Sequence, residues 1–398
     1  MKLLQINVTA NWGSTGKIAE DIGKLAMEAG WESWIAYGRG NPSSASNLIR
    51  IGSDWDMKLH GLQTRILDKH GLASRKATKE FIKKVKEIAP DVIHLHNIHG
   101  YYLNYPILFE FLKEYGRPII WTLHDCWSFT GHCAYYDFVK CNRWIAGCHD
   151  CPQLRSYPAS IMMDRSARNY EDKRISFLGL ENLTFVPVSD WLDQDIKKSF
   201  LKDYPSLVIH NGIDLDVFRP REKQTKDKNT YIVLGVASVW EKRKGLDEFV
   251  TLRKLLPDSY NIVLVGLSKE QISGLPNGIK GISRTDSVEE LVDLYSKADV
   301  FVNPTLEDNF PTTNLEALAC GTPVITYDTG GSPEAIDEMT GVVVPYKDVN
   351  KLAQEIQRVC EEHPIDSYNC RKRAEKYFNK QSAFKSYIEL YNTLIETC

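Results

Sequence analysis

Apolar residues along the chain follow two alternating rhythms. LLQINV is a short apolar run bounded by a polar loop, as a buried strand would be. KIAEDIGKLAMEAG then places Ile18, Ile22, Leu25 and Ala29 at helical spacing. The runs SWIAYG, DVIHLH, PIIWTLH and TFVPVS, rich in β-branched and aromatic residues, predict further strands in the first half. The second half begins the pattern again with YIVLGVAS, NIVLVG, DVFVNP, TPVITYD and GVVVP, separated by helical stretches such as VEELVDLYSKA and TTNLEALACG. Strands alternating with helices imply mainly parallel sheets covered on both faces. One sheet would need some ten parallel strands, near the limit for an open twisted sheet, so two doubly wound α/β domains facing a cleft are expected. The polar stretch DQDIKKSFLKDYPSL reads as their connector. Ligands of such sheets sit beyond the carboxyl ends of the strands, which directs attention to the loops there.

The chain has 398 residues, consistent with two domains at about 150 residues each. Hydrophobic residues at 43% and charged residues at 25% exclude disordered and fibrous classes. Forty-nine basic against 52 acidic side chains give a net charge of −3, which argues against a nucleic-acid partner. MKLLQINV is too short an apolar run for a signal peptide, and no run reaches the ~18 residues of a membrane span. A cytoplasmic enzyme is expected.

Several post-strand loops carry candidate chemistry. NWGSTGK opens the first helix with Gly13 and Gly16, but Asn11 and Ile18 break the P-loop pattern; either an anion site at the helix start or a tight turn remains. In TLEDNFPTTNLEALACG, Pro311 suits a first helical turn. The backbone N–H groups there suit a phosphate, and the Glu316 carboxylate suits a vicinal diol such as ribose. The alternative is a helix-capping acid cluster. Lys242, Arg243 and Lys244 in SVWEKRKG would neutralise a pyrophosphate leaving group, or form a solvated charge run. TLHDCW puts His124 and Asp125 at a strand end, where the histidine would meet a sugar hydroxyl or belong to the core. His94 and His96 alternate onto one face, with no third metal ligand evident, and read with His99 as structural or cleft-lining.

Together these residues resemble the retaining glycosyltransferases of family four, over essentially the whole chain. NWGSTG, TLHD, VSDWL, IHNGIDLDVF, KRKG and above all DNFPTTNLEALACGTPV carry the resemblance. It implies the GT-B fold: two Rossmann-like doubly wound domains about a central cleft. Residues 1–205 would bind the acceptor, with helix 377–398 packing back on them, and residues 206–376 would bind the nucleotide-sugar donor. The family's two glutamates seven residues apart fall on Asp308 and Glu316, with Glu307 one place out of register. Glu316 is thus implied on the ribose, and Asp308 or the backbone of Asn309, Phe310, Pro311 and Thr312 near the donor sugar and phosphates. Lys244 matches the phosphate-binding lysine. The arginine expected near Ser238 or Val239 is absent, and Arg243 is expected to replace it. Base recognition is implied around Ile282–Arg284.

The implied reaction moves a sugar from a UDP- or GDP-linked donor to a glycan or lipid-linked acceptor, with retention and no catalytic metal, in bacterial surface polysaccharide synthesis. Competing readings are a phosphorylase or epimerase on the same fold, or a non-catalytic nucleotide-sugar-binding subunit. Two further expectations concern the first half. Residues 65–86 carry eight basic against two acidic residues, with Phe81, Ile82, Val85 and Ile88 at helical spacing. This would be a contact with anionic lipid on the inner membrane face, or an ordinary packed helix with a basic face. Five of the nine cysteines crowd into residues 126–151. Of these, Cys133, Cys141, Cys148 and Cys151 are expected to hold a structural zinc, the alternatives being free thiols or disulfides, while Cys126 is expected to be a buried neighbour of His124.

Overall fold

The computed structural model describes residues 1–222 and 230–397. They form two compact units, Met1–Ile209 together with Phe384–Cys398, and His210–Ala383. The first unit is built on β1 (Lys2–Asn7), β2 (Glu32–Tyr37), β3 (Asn47–Arg50), β4 (Val92–Leu95), β5 (Ile119–Leu123) and β6 (Leu183–Pro187). Their order is β3-β2-β1-β4-β5-β6, and every pairing is parallel. Leu4 of β1 lies between Trp34 of β2 and Ile93 of β4. β4, β5 and β6 are buried at every position because helices cover both faces, so their sequences are nearly unbroken apolar runs. Under them Phe109, Trp121 and Phe177 interlock, with ring centroids 4.5–5.4 Å apart.

The second unit repeats the plan with β7 (Tyr231–Val236), β8 (Tyr260–Val265), β9 (Ile279–Ile282), β10 (Val300–Asn303), β11 (Val324–Tyr327) and β12 (Gly341–Val344), in the order β12-β11-β10-β7-β8-β9. In each sheet the first and fourth strands are neighbours. The switch points therefore lie between β1 and β4 and between β7 and β10, where loops leave in opposite directions and open a crevice.

Two details differ from expectation. Edge strands β3 and β9 were not anticipated, since neither has more than one buried residue and β9 contains Gly281. The supposed connector belongs to the first unit. Leu201 is fully buried there, and Phe185 on β6 donates to Pro205 and accepts from Leu207, at 2.9 and 3.0 Å. The last helix, Lys380–Thr397, brings Tyr387 and Tyr391 into the first unit, where both are buried.

Candidate active site

At the second unit's switch point, the loop after β7 ends in a single 3-10 turn, Lys242–Lys244, followed by Gly245 at φ +77°. A Cβ on Gly245 would fall 2.2 Å from the carbonyl oxygen of Pro304, so only glycine lets this basic loop close onto the end of β10. The closure is held by Leu306 N–H on the Arg243 carbonyl at 2.6 Å, and by Arg243 Nη1 on the Glu307 carbonyl at 3.1 Å. Lys244 forms an ion pair with Asp308. Burial pushes the Asp308 pKa up, but Lys244 and then Arg243 outweigh it and hold the carboxyl below its ordinary range. Cations and carboxylate thus preorganise one another, with two cations to the one carboxylate at this loop end.

Beyond Asp308 the buried Asn309 and Phe310 lead to Pro311, the N-cap of helix Thr312–Ala319. Pro311 has no side chain able to cap, so the first-turn N–H groups receive no side-chain acceptor from it. Glu316, one turn on, is half-buried, and Tyr295 donates to its Oε2 at 2.8 Å. Sequence reasoning missed Tyr295, which is wholly buried and fixes the Glu316 rotamer from another helix. It also missed His210, whose ring stacks on Phe310 at 4.6 Å and whose Nε2 lies 3.1 Å from Glu334. Phe310 accordingly has a bracing place in the loop. Arg284 is exposed on the loop after the edge strand β9, outside the loops of the switch point.

In the first unit the loop after β1 is tied down by Asn7, which donates to Thr9 O at 2.8 Å and Thr15 Oγ1 at 3.2 Å. Gly13 begins helix Gly13–Glu28, whose N-cap, Trp12, also lacks a side-chain cap bond. Gly16 is required by packing, because a Cβ there would lie 2.7 Å from Thr9 Oγ1.

The histidines at the ends of β4 and β5 form one network. His94 meets Tyr391 Oη at 2.6 Å and Thr122 Oγ1 at 2.7 Å. His96 meets Gln5 Oε1 at 3.1 Å and His124 Nε2 at 3.2 Å. Both nitrogens of each are occupied within the protein, so the shared face of His94 and His96 is structural.

This network also sets the tautomer of His124. Gln5 Nε2 donates to Ala19 O at 2.7 Å, which leaves Oε1 to accept from His96 Nε2–H. Neutral His96 then accepts at Nδ1 from His124 Nε2–H, making His124 Nδ1 a lone-pair nitrogen. Burial lowers the His124 pKa to about 4 despite the adjacent Asp125, so the ring is uncharged at neutral pH. Asp125 is held by His99 Nε2 at 2.8 Å and Trp127 N–H at 2.9 Å, and His99 Nδ1 reaches Tyr157 Oη at 2.8 Å. Cys126 is fully buried. Cys133, Cys141, Cys148 and Cys151 are unbridged and line one small cavity.

Two doubly wound α/β units of this plan define the GT-B class of glycosyltransferases. Residues 18–217 match the family described as Glycosyltransferase Family 4, and residues 230–362 match Glycosyl transferases group 1. The chain belongs to glycosyltransferase family 4. It is 26% identical to the putative colanic acid biosynthesis glycosyl transferase WcaC of Escherichia coli, across 99% of this chain and 100% of that one. It is also 26% identical to the O-antigen chain mannosyltransferase RfbU of Salmonella typhimurium, over 66% of this chain and 80% of that one. Among solved structures, sucrose-phosphate synthase from Thermosynechococcus elongatus superposes with a TM-score of 0.73 at 20% identity, covering both chains completely. Anabaena Alr3699/HepE in complex with UDP and glucose gives 0.65 at 15%, covering 99% and 100%.

Proposed function

We propose that this chain is a retaining hexosyltransferase that takes its sugar from a nucleotide diphosphate and adds it to a glycan or lipid-linked acceptor during surface polysaccharide assembly. The observation that carries this reading is the closure of Lys244, Arg243 and Asp308 beside the Pro311-capped helix that bears Glu316. In this reading the donor's ribose engages Glu316, and its diphosphate takes the first-turn N–H groups together with Lys244 and Arg243. The bond from the sugar's anomeric carbon to the diphosphate breaks as the acceptor oxygen bonds to the same face, and the acceptor's proton leaves with the diphosphate. Charge grows on the leaving group, so Lys244 and Arg243 act most strongly in the transition state. Uncharged His124 suits a place among neutral sugar hydroxyls, and this reading calls on no metal for the chemistry. WcaC, RfbU and the N,N'-diacetylbacillosaminyl-diphospho-undecaprenol alpha-1,3-N-acetylgalactosaminyltransferase of Campylobacter jejuni support the polysaccharide and lipid-linked assignments. The UDP complex of HepE supports the donor class.

The test is a thermal-shift panel of UDP-, GDP- and ADP-sugars, followed by anomeric analysis of the product. One donor at ~100-fold saturation should stabilise the protein by about 2.7 kcal/mol. No stabilisation by any nucleotide sugar, or an inverted product, would refute the assignment.

A peripheral stay on anionic lipid forms part of the proposal, but its location changes. Phe81 and Val85 of helix Arg75–Ile88 are buried in the first unit, so that apolar stripe is unavailable to lipid. Helix Asp54–Leu67 instead exposes Trp55, Leu59 and Leu62 by 72%, 56% and 52%, with Ile66 continuing the row. Lys58 and Arg65 flank them, and Lys58 lies 4.9 Å from the Trp55 ring centre. Exposed Ile161 and Met162 adjoin the end of this helix, as Ile161 N–H bonds to Arg65 O at 2.8 Å. Such a face suits the interfacial layer of a bilayer. No described helix is long and apolar enough to cross one. Co-sedimentation with anionic vesicles should fall on Leu59→Glu with Leu62→Glu; binding unchanged by that pair would remove this surface.

A further inference from the structure

Between β5 and helix Ser166–Phe177 lie residues 124–165, whose only helical pieces are the single turns Asp137–Val139 and Arg143–Ile145. A segment this long without regular structure is uncommon in a compact fold. It is nevertheless well packed, with Trp127, Phe129, Tyr136 and Trp144 buried. Cys133, Cys141, Cys148 and Cys151 line a cavity of about 10 Å³, the size of one ion or water and too small for an organic ligand. No three of their sulfurs lie within 4.8 Å of one another, so they would have to draw in to share one ion. Gly131 N–H donates to Cys148 Sγ at 3.1 Å, and the side chains of Cys133 and Cys151 are hydrogen-bonded. A Cβ at Gly131 would fall 2.7 Å from that of Cys148 and 2.2 Å from Ser166 O, so glycine admits this approach. The turn between Cys148 and Cys151 is folded by Arg143, which donates to the carbonyls of His149, at 2.8 Å, and Asp150.

Two independent observations point to a bound cation-thiolate group. His132, only 2% exposed, lines the same cavity; its Nδ1 is bound to Asp68 at 2.6 Å, while its Nε2 is buried with no hydrogen-bond partner. A buried nitrogen of this kind calls for a partner, which a group held in the cavity would supply. The second is Lys173, 1% exposed, whose ammonium rests on the Trp127 ring at 3.6 Å and donates to the carbonyls of Trp127 and Thr130. Carbonyls satisfy its hydrogen bonds but not its charge. Four thiolates around one divalent ion carry a net charge of −2, and the amino group of Lys173 beside them would offset part of it.

We propose that Cys133, Cys141, Cys148 and Cys151, each giving up its thiol proton to solvent, bind one zinc ion beside the buried Nε2 of His132. The site is closed and structural. It fastens the loop that carries Tyr157 to His99 and, through His99, to Asp125 at the end of β5. Protein purified under reducing conditions without added metal should contain one zinc per chain. X-ray absorption should fit four sulfurs at about 2.3 Å. Cys148→Ser with Cys151→Ser should lose the metal, whereas Cys126→Ser should keep it. Should the double variant fail to fold, thiol labelling of the native chain still decides. Four cysteines should resist alkylation until a strong chelator is added, with binding of UDP- and GDP-sugars unchanged by that loss. Folded, reduced protein without zinc, zinc retained by the double variant, or four thiols that react at once in the native chain would overturn the proposal.

Discussion

In the His210–Ala383 unit, the groups at the switch point are permanent ions: Lys244 paired with Asp308, and Arg243 on the carbonyl of Glu307. In the Met1–Ile209 unit the end of the sheet is occupied by imidazoles. Burial lowers the pKa values of His94, His96 and His124 and so keeps their rings neutral, and does the same for His60 and His70. The same strand order therefore supports two electrostatic designs. One is suited to stabilising a charged leaving group, the other to recognising neutral hydroxyls through fixed tautomers. That division supports the proposed assignment of the donor to one unit and the acceptor to the other.

Acidification should separate the units most strongly. His60 and His124 titrate near 4 in the folded chain against an ordinary 6.5. Their contribution is present above pH 6.5. It is lost as the pH falls towards 4, because the unfolded chain then takes up protons that the folded chain refuses. At pH 5 each should have lost about 2 kcal/mol, and the first unit should lose protection before the second in hydrogen exchange. Equal loss in both units would remove the contrast.

Lys244→Ala should lower kcat by about 10²–10³ while changing donor affinity less, as expected for a group that meets growing negative charge. A rise in KM alone would assign it to ground-state binding. Glu316→Gln should weaken donor binding by ~1.5–3 kcal/mol in calorimetry and leave the acceptor KM unchanged. Tyr295→Phe removes only the neutral partner of that carboxylate and should cost donor affinity about 0.5–1.5 kcal/mol. An effect larger than that of Glu316→Gln would show that the tyrosine has another role.

The ten other strands were legible because burial leaves apolar runs in the sequence, as at Val92–Leu95 and Ile119–Leu123. β3 and β9 were hidden because, exposed or half-buried at nearly every position, they leave no such run. Lys244 and Asp308 were legible as loop residues after strands, but their ion pair was not, since the tertiary fold alone brings them together. The partners Tyr295 for Glu316, Asp68 for His132 and Tyr391 for His94 were not, since each is brought close only by the tertiary fold. At residues 65–86 periodicity marked a stripe without saying whether protein or water covers it, so a lipid contact and an ordinary packed helix both stayed open. Phe81 and Val85 pack inward, whereas Trp55, Leu59 and Leu62 on the preceding helix do not.

The central claim, that the donor is held at the switch point of the second sheet, is tested most directly by hydrogen-exchange mass spectrometry with the stabilising nucleotide sugar, without acceptor. The account predicts slower exchange in the peptides spanning residues 238–245 and 305–316, reduced in Glu316→Gln, and little change in residues 9–17 or at His124. Protection confined to the first unit, or unaffected by Glu316→Gln, would contradict it.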